Sequence, residues 1–110
     1  MNNLYDHNVA NEQKWSRRAA SYDDKRFDYF RFMQKELIVS ARITSPANFL
    51  DLGCGTGWAV GYVAKLLDGK GRFVGVDISE GMIKKSKEQR CRNTEHRIPC
   101  GELRQFAFRR

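Results

Sequence analysis

The spacing of hydrophobic residues changes once along this chain. Upstream of Pro46 they recur every three or four positions, the interval that aligns side chains on one face of a helix. Trp15, Arg18, Ala19 and Tyr22 carry that interval through residues 12–22 and predict a short helix, interrupted by Asp23 and Asp24. Phe27, Phe30, Met33, Leu37 and Ala41 carry it through residues 26–41 and predict a second helix, whose apolar stripe is expected to pack into the core. Residues 1–10 are polar and Asn-rich and read as a loose leader. Pro46 and the residue before it disfavour helical backbone, so the second helix should end before Thr44-Ser45-Pro46-Ala47.

From Asn48 onward the order is different. Asn48-Phe49-Leu50-Asp51-Leu52 is a short, mostly apolar run that enters Gly53-Cys54-Gly55-Thr56-Gly57 directly. Val60, Val63, Ala64 and Leu67 then restore helical spacing over residues 58–67. Asp68-Gly69-Lys70-Gly71 is a turn, residues 72–76 are a second strand-like run, and Asp77 closes it. Ser79 is a suitable helix N-cap for residues 80–89. Strand, glycine turn, helix, turn, strand and helix make a βαβ unit plus one helix, and such units build parallel sheets. The fold class expected is α/β, the N-terminal half of a Rossmann-like parallel sheet with flanking helices and two to three strands. Leu103 to Phe108 is at best a weak third strand. This divides the chain into lead-in helices (1–47) expected to cover a ligand site, a ligand-binding βαβα unit (48–90) and an atypical basic tail (91–110).

Composition narrows the picture. A chain of 110 residues with 41% hydrophobic content suits one small domain. No apolar run approaches the ~20 residues of a membrane span, and the polar start lacks the apolar stretch of a secretory signal, so a cytoplasmic location is expected. The net charge of +7 is concentrated at the end: from Lys84 on, nine Lys or Arg stand against three Glu, which accounts for six of the seven charges. Such a tail is a solvated basic end that attracts polyanions weakly, so no specific nucleic-acid partner is expected. Cys54, Cys91 and Cys100 form no Cys-x-x-Cys pair, and His7 and His96 stand apart, so neither a disulfide framework nor a metal site is supported.

The chemistry centres on the glycine turn. Glycines between a strand and a helix let a ligand approach the backbone where a β-carbon would collide, beside a helix N-terminus and at the carboxyl ends of the strands. Asp77 lies about twenty residues beyond, placed to accept hydrogen bonds from two ribose hydroxyls. Together these point to an adenosine-containing ligand. A dinucleotide site uses Gly-x-Gly-x-x-Gly, whereas here Trp58 stands at the third glycine position, which disfavours a nicotinamide or flavin enzyme. A triphosphate loop needs Gly-Lys followed by Ser or Thr, but Lys70 is followed by Gly71. Asp51, a carboxylate at a strand end, calls for a partner such as a ligand amino group.

These segments resemble a known family. FLDLGCGTG (Phe49 to Gly57) followed by GVDIS (Gly75 to Ser79) looks like the first two motifs of class I S-adenosylmethionine-dependent methyltransferases. The upstream WSRRAASYDD resembles the lead-in helix of the small-molecule branch, which includes the ubiquinone and menaquinone biosynthesis type. The resemblance covers residues 12–89. It implies S-adenosylmethionine as cofactor, with Asp51 on the methionine amino group and Gly53, Gly55 and Gly57 passing beneath the methionine portion. It further implies Asp77 on the ribose, Ile78 and Met82 flanking adenine, and Tyr22 and Arg18 closing over the methionine carboxylate. Cys54 is expected to contribute small size within the turn.

In that family the methyl acceptor is held from strand four onward, and residues 90–110 show no such pattern. The expectation is therefore a truncated, spliced or frame-altered product, with the flank of strand one left as an unpaired apolar edge open to self-association or a partner chain. Three classes stay open: a methyltransferase acting on a small-molecule acceptor, a non-catalytic S-adenosylmethionine-binding or inactive isoform, and, less favoured, an NAD-dependent oxidoreductase. No catalytic residue is assigned.

Overall fold

The computed structural model describes residues 4–21, 28–92 and 102–105. Helix α1 (Leu4–Arg18) runs into a 3-10 turn (Ala19–Ser21). Then follow α2 (Asp28–Ser40), β1 (Ala47–Leu52), α3 (Trp58–Leu66), β2 (Gly71–Asp77), α4 (Glu80–Arg92) and β3 (Glu102–Gln105). The strands form a parallel sheet in the order β1-β2-β3. Register runs from Ala47 opposite Gly71 to Leu52 opposite Val76, and from Val74 opposite Glu102 to Asp77 opposite Gln105. Both connections cross over through a helix, as parallel neighbours require. The expected α/β, Rossmann-like half-fold is the one observed.

The core lies between one face of the sheet and the helices that follow the strands. Val60, Val63 and Ala64 of α3 are fully buried against Phe73, Ile83 and Leu103, with Ala47 and Phe49 packed on the same cluster. Burying each large aliphatic side chain contributes about 1.5–3 kcal/mol, so the helical spacing of α3 translates directly into core. Gly75 is needed beneath this layer. A β-carbon there would come within 2.6 Å of Leu103 Cδ2 and 2.9 Å of Cys54 Sγ. Cys54 is buried, and its compactness lets the glycine turn lie on β2. Ser79 caps α4 as expected, its Oγ accepting from the Met82 N–H at 3.1 Å.

Three readings of the sequence need correction. Residues 4–10 belong to helix α1 and are not a loose leader. Their Asn-rich composition is a weak helix signal, but Asp6 in the first turn and Arg17 and Arg18 in the last complement the helix dipole, and tertiary contacts add the rest. The regular helix ends at Arg18, before Tyr22, which lies outside the described residues together with Asp23, Asp24 and Phe27. The second correction concerns α2. Its apolar stripe is exposed: Phe30, Met33 and Leu37 have 57%, 51% and 72% of their surface accessible. Periodicity identified the helix correctly, but among the described residues α2 packs on α3 alone and places only Ile38 in the core. Third, β3 begins one residue earlier than expected and pairs fully with β2, with Leu103 buried. Cys100, His96 and most of the basic tail lie outside the described residues.

The opposite face of the sheet carries Asn48, Leu50 and Leu52 of β1 and Arg72, Val74 and Val76 of β2, by strand alternation. Among the described residues no helix covers it, and Leu50 and Leu52 are 59% and 76% exposed. β1 pairs only with β2 among the described residues, so its other flank is an apolar sheet edge, as expected.

Candidate functional site

A cavity of about 610 Å³ opens at the carboxyl ends of β1 and β2, the position where open parallel sheets bind ligands. Its floor is Leu52 and Gly53 at the end of β1, Gly55 of the turn, and Val76, Asp77 and Ile78 at the end of β2. Met82 of α4 and Asn8, Asn11 and Trp15 of α1, which packs on α4, complete the lining. The structure thus brings together Gly53, Gly55, Asp77, Ile78 and Met82 from the residues expected.

The turn is pinned by its own backbone. The N–H groups of Gly53 and Cys54 both donate to the Val76 carbonyl, at 2.7 and 3.0 Å, and the Gly57 N–H donates to the Cys54 carbonyl at 2.9 Å. Gly53, Gly55 and Gly57 have φ of 75°, 56° and 82°, backbone that L side chains rarely adopt. At Gly57, which caps α3, a β-carbon would also lie 2.8 Å from Ser86 Oγ.

Asp77 organises the centre. Its Oδ2 accepts from the Gly55 N–H and its Oδ1 from the Ser79 N–H, each at 2.8 Å. One carboxylate therefore ties the turn after β1 to the start of α4. A carboxylate offers about four acceptor positions, so both oxygens retain capacity toward the cavity. Asp51 is half-buried on β1, and among the described residues no donor reaches its carboxylate. Burial raises its pKa above the ordinary carboxylate value, and the nearby Asp77 charge adds to the rise. Asp77 lines the cavity, whereas Asp51, Cys54 and Gly57, although close in sequence, are not among the cavity-lining residues.

The lead-in helix contributes differently from what its sequence suggested. Arg18 is exposed and lies over the Trp15 ring, 5.3 Å from its centroid, and is not among the cavity-lining side chains. Sequence reasoning missed Asn8, Asn11 and Trp15, although their spacing of three and four is a helical stripe that could have been noticed. Trp58, at the third glycine position, is the first residue of α3 and stacks on Tyr62 with centroids 5.1 Å apart. Among the described residues no group of three or more His, Cys, Asp or Glu comes together as a metal site, and no helix is long and apolar enough to cross a membrane.

Known proteins share these features. Residues 49–110 match the model of a family described as a methyltransferase domain. Human mitochondrial arginine-hydroxylase NDUFAF5 is 34% identical over 90 residues, which cover 78% of this chain and 25% of that protein. An S-adenosylmethionine-dependent methyltransferase from Aquifex aeolicus superposes with a TM-score of 0.65 at 19% identity, covering 84% of this chain and 47% of that one. A chain from the complex of the Haloferax volcanii Trm112 methyltransferase activator with a methyltransferase superposes with a TM-score of 0.57 at 21% identity, covering 84% and 38%. These two structures share the fold. The chain spans a quarter of the human relative's length and less than half of either solved chain.

Proposed function

The chain belongs to the methyltransferase domain family, whose class I members use S-adenosylmethionine as methyl donor, and on that premise we propose that the cavity at the ends of β1 and β2 holds this cofactor for transfer to a small-molecule acceptor. The observation that carries the reading is the Asp77 carboxylate, fixed by two backbone N–H groups at the mouth of a glycine turn and still open toward the cavity. In this reading Asp77 accepts from the ribose hydroxyls, and Ile78 and Met82 flank the adenine. Gly53, Gly55 and Gly57 leave room beneath the methionine portion, with Cys54 keeping the turn compact. Asp51 takes the methionine amino group, which relieves its unfavourable burial. Tyr22, outside the described residues, is the candidate for the carboxylate, and Arg18 joins it only by leaving its place over the Trp15 ring.

Methyl transfer from a sulfonium to a nucleophilic acceptor requires alignment and exclusion of water more than proton transfer. The contribution of this chain is then to hold the donor at the strand ends, and no general base is assigned within it. The acceptor's side, and the burial of the exposed α2 stripe and β1 edge, fall to further chain, a partner or a second copy. The partner finds support in a structural neighbour that comes from a complex with an activator.

A second reading has its own observation. The human relative is named as an arginine hydroxylase, and 34% identity over most of this chain supports, as the alternative, a site that serves hydroxylation of arginine. That relative is mitochondrial, which makes mitochondria the alternative to the cytoplasm. One experiment separates the two activities. The chain, and any longer form its gene encodes, is incubated in air, with a reductant that takes the second atom of dioxygen to water, together with S-adenosylmethionine carrying a labelled methyl group and with small-molecule and arginine-containing acceptors, and products are weighed by mass spectrometry. Gain of the labelled methyl supports the methyltransferase; gain of a single oxygen on arginine, without label, supports the hydroxylase and overturns the first reading.

A further inference from the structure

Ser21 ends the 3-10 turn that closes helix α1, and its side chain is exposed. Its hydroxyl makes one long contact, 3.5 Å to the Arg18 carbonyl, which costs little to break. The serine follows Arg17 and Arg18 by four and three positions. That spacing is what basophilic protein kinases read, because their acidic grooves take guanidinium groups a few residues before the target hydroxyl.

The six serines of the chain are not equivalent in this respect. Ser79 and Ser86 are buried, and Ser16 is hydrogen-bonded to Glu12 and Ser79. Ser40 has no arginine or lysine three or four positions before it. Ser45 is exposed and follows Arg42 by three, but Pro46 comes next, and proline lacks the N–H that an extended substrate offers beyond its target.

The fold also supplies a receiver for a phosphate at Ser21. Lys85 of α4 reaches the Ala20 carbonyl, 3.2 Å from its Nζ, which places an ammonium one residue from Ser21. Arg18 stands over the Trp15 ring, 5.3 Å from its centroid, and Arg17 and Lys84 line the neighbouring groove between α1 and α4. Cations thus gather where α1 ends against α4, and at a helix C-terminus they also complement the dipole.

We propose that Ser21 is a phosphorylation site and that the added phosphate is held by Arg18 and Lys85. A basophilic kinase transfers the γ-phosphoryl group of ATP to Ser21 Oγ. The Oγ–P bond forms, the bond from the γ-phosphorus to the bridging oxygen breaks, ADP leaves, and the hydroxyl proton passes to the kinase's base. Residues 18–21 must leave the turn to lie extended in the kinase. Only Ala19 among them is buried, and an alanine gives up little apolar area. The product carries about −1.5 to −2 charges at neutral pH and three acceptor oxygens. These draw the Arg18 guanidinium off Trp15 into a bidentate pair and bridge to α4 through Lys85. The modification straps the end of α1 to α4 and lowers the positive charge of that corner.

The test incubates the full chain with ATP and a kinase that selects arginine three residues before serine, beside a peptide of residues 14–24, and maps phosphate by mass spectrometry. Ser21 should be the modified residue. Ser21→Ala should remove the signal, Ser45→Ala should keep it, and Arg18→Ala should slow the reaction about tenfold or more, the effect of losing one charge-assisted pair. Phosphorus NMR of the chain phosphorylated at Ser21 reads how the phosphate is held. Its second ionisation should fall below the value of about 6 expected of a solvated phosphoserine, because neighbouring cations favour the dianion. The phosphorylated peptide, which lacks Lys85, should titrate higher than the chain, and Lys85→Ala should move the chain toward the peptide. Trp15 emission, isolated by Trp58→Phe, should change on phosphorylation as Arg18 leaves the ring. Modification of the peptide and not of the chain, of neither, or of another residue overturns the site. A phosphate that titrates in the chain as it does in the peptide overturns its capture by Lys85, and unmoved Trp15 emission overturns its capture by Arg18.

Discussion

The Gly55 N–H donates to the Asp77 carboxylate at 2.8 Å, so the glycine turn after β1 is held in place by the last residue of β2. A second 2.8 Å bond, from the Ser79 N–H, uses the other oxygen. The same side chain that is proposed to take the ribose thus also builds the floor beneath it. Asp77→Ala removes both bonds and leaves two backbone donors to find water. It should lower unfolding stability by about 1–3 kcal/mol and abolish detectable binding of S-adenosylmethionine. Urea denaturation and calorimetry on the same preparation check both. A variant with unchanged stability would show that the turn holds itself.

Asp51 should couple pH to stability with an unusual sign. Its folded-state pKa lies above the ordinary value of 3.8, first through burial and then through the Asp77 charge. The folded state therefore binds the proton more tightly than the unfolded state, so stability is greatest at low pH and is lost as pH rises through the folded pKa. Asp51→Asn is uncharged at every pH. At neutral pH it should be more stable than the unmodified chain, and the difference should shrink as pH falls toward 3.8. The same variant should bind S-adenosylmethionine more weakly. Denaturation midpoints across that pH range supply the check, and a difference that grows on acidification would contradict it.

Gly75 and Cys54 illustrate how tightly the turn is laid on the sheet. Gly75→Ala would bring its β-carbon within 2.9 Å of Cys54 and 2.6 Å of Leu103. Overpacking of this kind costs about 1–3 kcal/mol, to be read as a lowered urea midpoint. Because the displaced neighbour Cys54 belongs to the turn, affinity for the cofactor should fall as well.

The exposed side of α2 and the open flank of β1 should make the isolated chain associate. Leu37→Lys and Leu50→Lys place charges on an apolar helix stripe and on an apolar sheet strand. Sedimentation velocity should show the unmodified chain moving to larger species with concentration and the double variant remaining monomeric, with little change in thermal stability. A monomeric unmodified chain at the highest soluble concentration would contradict this.

The parts of the molecule legible from sequence are those whose signal is local. The turn from Gly53 to Gly57 could be read because its glycines answer a local need for positive φ, and Asp77 because it ends a short apolar strand. The face of α3 followed from spacing because a helix between two parallel strands has one sheet to pack on. The α2 stripe obeyed the same periodicity and yet stayed exposed, because periodicity says which side of a helix is apolar and not what stands opposite it. Helix α1 was the hardest. Its Asn-rich first half has weak propensity, and its place depends on Glu12 and Ser16 meeting Glu80 and Gly81, more than sixty positions away. No local pattern records such a contact.

The central claim is that the glycine turn and Asp77 form an S-adenosylmethionine site, and titration calorimetry of the purified chain tests it most directly, with NAD as control. Saturable heat with S-adenosylmethionine alone, lost in Asp77→Ala, is the expected result. Saturable heat with NAD alone, or no heat with either on a chain shown to be folded, would contradict it.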